Sequence, residues 1–139
     1  MLKKSLITVS VFVLVLSTSL FAGNKSQNRE IEQNLLAGLA SDNEGLRLSC
    51  AYFLGEYKSE AAVIPLMKTL NTEDDICLRI IAALSLIKIG DERGVFLVQR
   101  TSVFDDCEIV RKLSERFYLA HLYNKDSNEE VLEDVLAVK

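Results

Sequence analysis

The sequence predicts an all-α protein, and composition, periodicity and an internal repeat all indicate it. Pro occurs once and Gly six times in 139 residues, and hydrophobic residues make up 49%, enough to form the core of one domain. Apolar residues recur at helical spacing, as Ile76, Ile80 and Leu84 do. Segments with this periodicity return at an interval of 32 residues.

The first 22 residues, MLKKSLITVSVFVLVLSTSLFA, have the pattern of a secretory signal peptide. Lys3 and Lys4 precede an apolar stretch, and small and polar residues lead to a cleavage site after Ala22. We therefore expect a signal peptide at 1–22, a mature domain at 23–139, and an exported, periplasmic or secreted protein. The alternative is an uncleaved inner-membrane anchor, although an apolar segment from Leu6 to Ala22 would be short for a membrane span.

The charge of the chain argues against nucleic acid as a partner. The formal net charge is −4, and loss of Lys3 and Lys4 with the signal peptide would make it −6. Lys and Arg form no cluster that could neutralise phosphates. We expect no nucleic-acid binding, and no membrane association after cleavage.

The repeat appears when LRLSCAYFLGEYKSEAAV, from Leu46, is written above LRIIAALSLIKIGDERGV, from Leu78. A third copy aligns at Val110. Each of the first two copies predicts a long helix followed by a shorter second helix, at 60–70 and at 92–101. Gly90 is the predicted C-cap of the central long helix. The predicted N-caps are one residue of each of three pairs: Asp42 or Asn43, Asp74 or Asp75, and Asp105 or Asp106.

The stretches EDDICLRIIAALSLIKIGDERGV and SEAAVIPLMKTL resemble HEAT repeats, in particular the short HEAT-like repeats of phycobilin lyase subunits. The resemblance extends over residues 31–123. It implies a short right-handed α-solenoid (superhelix) of about three helix pairs, closed by a C-terminal capping helix in NEEVLEDVLAVK. The third copy has Glu115 where Ala51 and Ala83 stand, as expected near the end of an array.

Three arginines stand at the same position of the three copies, each five residues after an acid. The resemblance implies that these arginines bridge to acidic turn residues of neighbouring repeats and fix their register. An anion-binding stripe is the alternative. The ladder consists of Arg47, Arg79 and Arg111 with Asp42, Asp74 and Asp106.

The chain offers little for catalysis or metal binding. Its only histidine, His121, aligns with core positions, and its three cysteines have no metal-ligand spacing. Cys50 aligns with small interior residues. The sequence leaves open whether Cys77 and Cys107 form a disulfide. We expect no enzymatic activity, no cofactor and no metal.

The residues one and five places after each arginine carry the functional hypothesis. The resemblance implies that they face outward along the second helices, so that two copies would present an apolar surface grading into a basic one. We expect an exported protein-interaction module that binds an unidentified partner protein there. The alternatives are a lyase- or chaperone-like accessory subunit and a homo-oligomer built on the same face. The predicted surface consists of Leu48, Tyr52, Ile80, Leu84, Lys112 and Arg116.

Overall fold

A computed structural model describes residues 27–126 of the chain. The predicted signal peptide at 1–22 and the predicted C-terminal capping helix lie outside the described residues. The chain divides into two compact units, Met1–Asn34 and Leu35–Lys139. The described part of the first unit, residues 27–34, is helical.

The described residues form helices joined by short turns, and no strand occurs between residues 27 and 126. The all-α prediction is therefore confirmed for this part of the chain. None of its helices combines the length and the apolar character that crossing a bilayer requires. The helices are α1 (27–39), α2 (Glu44–Glu56), a 3₁₀ turn (Glu60–Ala62), α3 (Val63–Thr72), α4 (Ile76–Ile89), α5 (Glu92–Phe104) and α6 (Glu108–Asp126).

Short polar side chains start α2, α4 and α5, and two of them, Asn43 and Asp75, are among the predicted N-caps. The Asn43 side chain accepts a hydrogen bond from the Leu46 N–H at the start of α2. Asp75 accepts from two backbone N–H groups of α4, and Asp91 accepts from the Arg93 N–H of α5. The Asp105 carboxylate accepts from the Cys107 N–H just before α6. These bonds satisfy N–H groups that have no partner inside a helix.

Left-handed residues end the long helices of the first two copies. Gly90 has φ 77 and ends α4, which confirms the predicted C-cap. Lys58 has φ 49 and stands 32 residues earlier, at the equivalent position after α2. The Lys58 and Ser59 N–H groups bind the Gly55 and Leu54 carbonyls, the bond pattern of a Schellman motif.

The second unit is built on successive long helices, with the shorter helices packed beside them. Helix α4 contacts α2 and α6, while α3 packs on α4 and α5, and α5 packs on α6. Because α4 has neighbours on several sides, its residues 82–87 are all buried. This explains why the helix is apolar nearly all round.

The contact between α2 and α4 depends on small residues. The Ser85 hydroxyl donates to the Ala51 carbonyl at 2.8 Å inside the core. A Cβ atom on Gly55 would lie 2.7 Å from the Ser85 Cβ, so only glycine fits there. Cys50 is buried in the core, as its alignment with small interior residues predicted. The two helices therefore approach closely through Ala51, Gly55 and Ser85.

Candidate interaction surface

The surface predicted from the residues one and five places after each ladder arginine is not an exposed apolar stripe. Leu84 is only 7% exposed and belongs to the hydrophobic core, and Leu48 and Ile80 are half-buried against that core. Only Tyr52 among the four apolar positions is exposed. The prediction was wrong because helices pack on several sides of α4 and cover positions that helical periodicity alone leaves open.

The helix assignment of that surface was also wrong. The six predicted residues do not lie on the second helices, which are α3 and α5. They lie on α2, α4 and α6, the long helices that begin the three copies. Lys112 and Arg116 of α6 are exposed, and Lys112 pairs with Glu108 one turn earlier on the same helix.

Tyr52 takes part in a contact between α2 and α4. The Lys88 ammonium lies 4.8 Å from the centre of the Tyr52 ring and forms an ion pair with Glu56. A hydrogen bond to Glu56 raises the pKa of Tyr52, and the bonds from Lys88 and Tyr52 lower the pKa of Glu56. This cluster joins two copies of the repeat.

The arginine ladder links neighbouring copies. Arg47 forms an ion pair with Glu73, and Arg79 forms one with Asp105. Both pairs span 26 residues, so they are the same interaction in successive copies. The Arg79 Nε also donates to the Leu70 carbonyl at 2.9 Å.

The acids of the ladder differ from those predicted. The partners are Glu73 and Asp105, each one residue before the expected Asp74 and Asp106. Within residues 27–126, Asp42 forms no ion pair with a ladder arginine. Arg47 and Arg79 reach forward to the turn before the next long helix, and each binds the first acid of that turn.

Arg111 breaks the pattern of the other two ladder arginines. Its guanidinium donates to the Asp105 backbone carbonyl at 2.6 Å, within the turn that begins its own copy. The arginine side chains thus link one copy to the next or bind within their own copy. This favours a structural role for the ladder over an anion-binding stripe.

The residues with reactive side chains do not form a site. Cys50, Cys77 and Cys107 are free thiols, so the Cys77–Cys107 disulfide is not formed. Burial raises the pKa of the Cys50 thiol. His121 is half-buried, and its desolvation and the charge of Lys125 lower its pKa. In residues 27–126, His, Cys, Asp and Glu side chains form no group of three that could hold a metal ion.

The exposed faces of the second helices carry a different set of side chains. Ile64 on α3 and Phe96 on α5 stand 32 residues apart and are both exposed, as are Lys68 and Arg100 one turn further along. Residues four apart on a helix lie on one face. We call this surface the α3–α5 stripe; it consists of Ile64, Lys68, Phe96, Arg100, Val103 and Phe104.

The two helices of the stripe are neighbours. They contact each other, and Asn71 of α3 lines a groove of about 340 Å³ with Arg100 and Phe104 of α5. Phe96 is 65% exposed and Phe104 is 75% exposed, large values for aromatic side chains. The α3–α5 stripe is thus one surface with aromatic and basic side chains at its centre.

Sequence reasoning missed this stripe although the signal was present. The 32-residue register that aligns Arg47 with Arg79 also aligns Ile64 with Phe96 and Lys68 with Arg100. An apolar residue at an exposed repeat position cannot be told from a core residue without knowing which side of the short helix is covered. The resemblance to HEAT repeats pointed instead to Leu48 and Leu84, which lie on the long helices.

No protein-family model matches the chain, and a search of curated proteins finds no match either.

Proposed function

We propose that the protein is an exported protein-interaction module, an α-solenoid that binds a partner protein through the exposed face of its second helices. The observation that carries this proposal is the α3–α5 stripe, in which exposed apolar and basic side chains repeat at the same positions of two successive copies. A surface that repeats in register along a helical array is the kind that such arrays use for binding.

The packing of the long helices supports the solenoid part of the proposal. The ion pairs Arg47–Glu73 and Arg79–Asp105 are equivalent contacts between successive copies. Helix α2 packs on α4, and α4 packs on α6, so each copy contacts the next one. Contacts between nearest neighbours that recur in this way are characteristic of solenoids. The sequence of residues 1–22 supports the export part.

The exposure of the aromatic side chains supports a binding role. Phe96 and Phe104 leave most of their surface in water, whereas burial of a phenylalanine side chain is worth about 1.5–3 kcal/mol. An exposed apolar patch with basic neighbours is typical of protein-binding surfaces. Aromatic and arginine side chains such as Phe104 and Arg100 are also enriched at protein interfaces.

A photo-crosslinking amino acid in place of Phe96 tests the proposal. The matched control is the same substitution at Ile109, which is exposed on α6, outside the stripe. We expect position 96, and not position 109, to give a specific adduct in cells that produce the protein. Equal labelling from both positions would contradict the proposal. An adduct with twice the mass of the chain would show that the stripe binds a second copy of the protein and not a different partner.

The double change Phe96→Ser and Phe104→Ser tests whether the stripe is separate from the core. We expect the melting temperature to change little, because both side chains are mostly exposed. Leu84→Ser is the contrasting variant and should cost about 3 kcal/mol or more, since it removes a core side chain and buries a hydroxyl. A similar loss for the double variant would assign Phe96 and Phe104 to the core.

A further inference from the structure

A groove between α5 and α6 lies beside the point at which the described part of the chain ends. It has a volume of about 550 Å³ and lies between the start of α5 and the end of α6. Because Lys125 is part of its lining and α6 ends at Asp126, the residues that follow α6 leave the helix directly at this groove. We call it the α5–α6 groove; its lining includes Val95, Phe96, Gln99, Tyr118, His121 and Asn124.

The equivalent positions of the preceding copy are covered. Leu86 stands 32 residues before Tyr118 and is fully buried, whereas Tyr118 is half-buried. Likewise, Val63 is fully buried, and Val95, 32 residues later, is half-buried. Helix α5 covers Leu86, since a Cβ atom added to Gly94 would lie 2.9 Å from the Leu86 Cδ2. The α5–α6 groove therefore lies where the second helix of the third copy would pack.

One polar atom of the groove lacks a hydrogen-bond donor. The Asn124 Oδ1 is buried, and no donor reaches it from the described part of the chain. Buried side-chain oxygens of folded proteins nearly always accept a hydrogen bond. The N–H groups at the start of a helix have no partner inside that helix and need such an acceptor. A helix that begins soon after α6 would bring such groups to Asn124.

The sequence that follows α6 has the apolar spacing of a second helix. In EEVLEDVLAV (129–138), positions 131, 132, 135 and 136 are apolar and fall on one face of a helix, and acids occupy 129, 130, 133 and 134. The buried positions 97, 98 and 101 of α5 have the same spacing as 131, 132 and 135. The groove carries opposite charges on Glu92 and Lys125, so apolar contact rather than charge favours this occupant.

We propose that residues 131–136 of this chain dock in the α5–α6 groove as the second helix of the third copy. Their apolar face packs on Val95, Phe96 and Tyr118, and a backbone N–H at the start of the helix donates to the Asn124 Oδ1. The sequence predicts a capping helix, and the groove gives that helix a position beside α5 rather than on the outer face of α6. The docked segment borders the α3–α5 stripe at Phe96, but the inference does not depend on partner binding by the stripe.

Photo-crosslinking within the purified full chain tests this position. The photoreactive amino acid replaces Gln99, whose exposed side chain lines the groove. The matched control replaces Leu119, which is 54% exposed and lies outside the groove on α6. Proteolysis and mass spectrometry of the monomer identify the linked residues. We expect position 99 to form links to residues 127–139 and position 119 to form few or none.

Changes on the two predicted faces of the segment test the contact itself. Leu132→Ser/Val135→Ser should abolish the links from position 99, because it removes the apolar side chains that enter the groove. Glu133→Gln/Asp134→Asn is the matched control on the opposite face and should preserve them. Circular dichroism checks that both variants keep the helical fold of the rest of the chain. Links that survive the Ser variant, or that both variants abolish, would overturn the role of the apolar face.

The remaining outcomes would also overturn the inference. Links that form mainly or equally from position 119 would place the segment on the outer face of α6. Links found only at twice the mass of the chain would show that the groove binds a second molecule. An absence of links from position 99 to residues 127–139 would show that this segment does not occupy the groove. The proposed function is tested separately, because a partner crosslinked from residue 96 adds the mass of a second protein.

Discussion

Lys58 occupies a backbone conformation that favours glycine. Its φ is 49, and the equivalent residue of the next copy, with φ 77, is Gly90. A left-handed conformation costs about 1–2 kcal/mol for a residue with a Cβ atom. The left-handed conformation of Lys58 therefore lowers the stability of the fold at the end of α2, whereas Gly90 adopts it at the end of α4 without this cost.

Lys58→Gly is expected to increase the free energy of unfolding by about 0.5–1 kcal/mol, because relief of the strain outweighs the added flexibility of the unfolded chain. Urea denaturation of the full chain measures the change. Gly90→Ala is the matched control and should lower stability by a similar amount, since nothing else lies within 4 Å of a Cβ there. A lower urea midpoint for Lys58→Gly would show that the lysine side chain stabilises the turn.

The ladder arginines differ in how deeply their ion pairs are buried. The Asp105 side chain that Arg79 binds is 9% exposed, whereas the Glu73 side chain that Arg47 binds is 28% exposed. Arg79 also donates to the Leu70 carbonyl. Arg79 is therefore the ladder residue whose removal leaves the most desolvated polar groups without a partner.

Arg79→Ala should cost about 2–4 kcal/mol, because it leaves a nearly buried carboxylate unpaired. We expect smaller losses for Arg47→Ala, whose partner reaches water, and for Arg111→Ala, which donates to a backbone carbonyl. Thermal unfolding of the three variants gives the ranking. Equal decreases in melting temperature would contradict the role of Arg79 as the main link between copies.

At the scale of helices, two glycines of α2 have opposite roles. Gly55 lies against Ser85 of α4, where an added Cβ would come within 2.8 Å of the Ser85 Cα. Gly45 lies in the first turn of α2, and an added Cβ there would meet only the Asn43 side chain at 3.5 Å. One glycine permits a close helix contact, and the other contributes only flexibility.

Gly55→Ala is expected to lower the free energy of unfolding by about 1–3 kcal/mol, because the helices must move apart. Gly45→Ala should raise it by up to about 1 kcal/mol through helix propensity. Chemical denaturation compares the two variants under the same conditions. A stabilising Gly55→Ala change would mean that α2 and α4 do not need to approach so closely.

Helix length also follows from the residues at the ends of the repeat. Helices α2 and α4 end just before Lys58 and Gly90, whereas α6 continues through the equivalent Leu122 to Asp126. A branched apolar side chain rarely adopts the left-handed conformation that ended the earlier helices. Leu122 does not adopt that conformation, and α6 continues past it to Asp126.

At the scale of the whole molecule, equivalent positions differ in burial between the copies. Glu115 of the third copy is exposed, whereas the equivalent Ala51 and Ala83 are fully buried. In the first copy, Leu46 is exposed although the equivalent Leu78 is buried. Burial at equivalent positions therefore depends on which helices pack against each copy, and not on the repeat register alone.

Export is the prediction that concerns the complete chain. We expect residues 1–22 to be absent from the mature protein, because the basic start, apolar centre and Ala22 match the requirements of a signal peptidase. Mass spectrometry of the protein from its producing cells measures the N-terminus. An intact Met1 terminus in the membrane fraction would favour the uncleaved anchor instead.

The sequence alone predicted the helices, their repeat and several of their boundaries, because these depend on local interactions. The second helices differ at their ends: α3 is Val63–Thr72, after a 3₁₀ turn, and not 60–70, and α5 is Glu92–Phe104 and not 92–101. Helical periodicity, Asn43 and Asp75 as N-caps and Gly90 as C-cap act within a few residues of the chain. The resemblance to HEAT repeats implied that Arg47 and Arg79 link copies, and the 32-residue register predicted that Cys50 is buried.

Only the tertiary structure decided which faces of the helices reach solvent and which acid each arginine binds. The α4 pattern gives the angular position of Leu84, but its burial depends on helices that pack around α4 from elsewhere in the chain. Likewise, a long arginine side chain can reach several acids of one turn, and the path of that turn selects Asp105 rather than Asp106. The α3–α5 stripe became visible for the same reason, because exposure of Phe96 and Phe104 results from the absence of a packed neighbour within the described part of the chain.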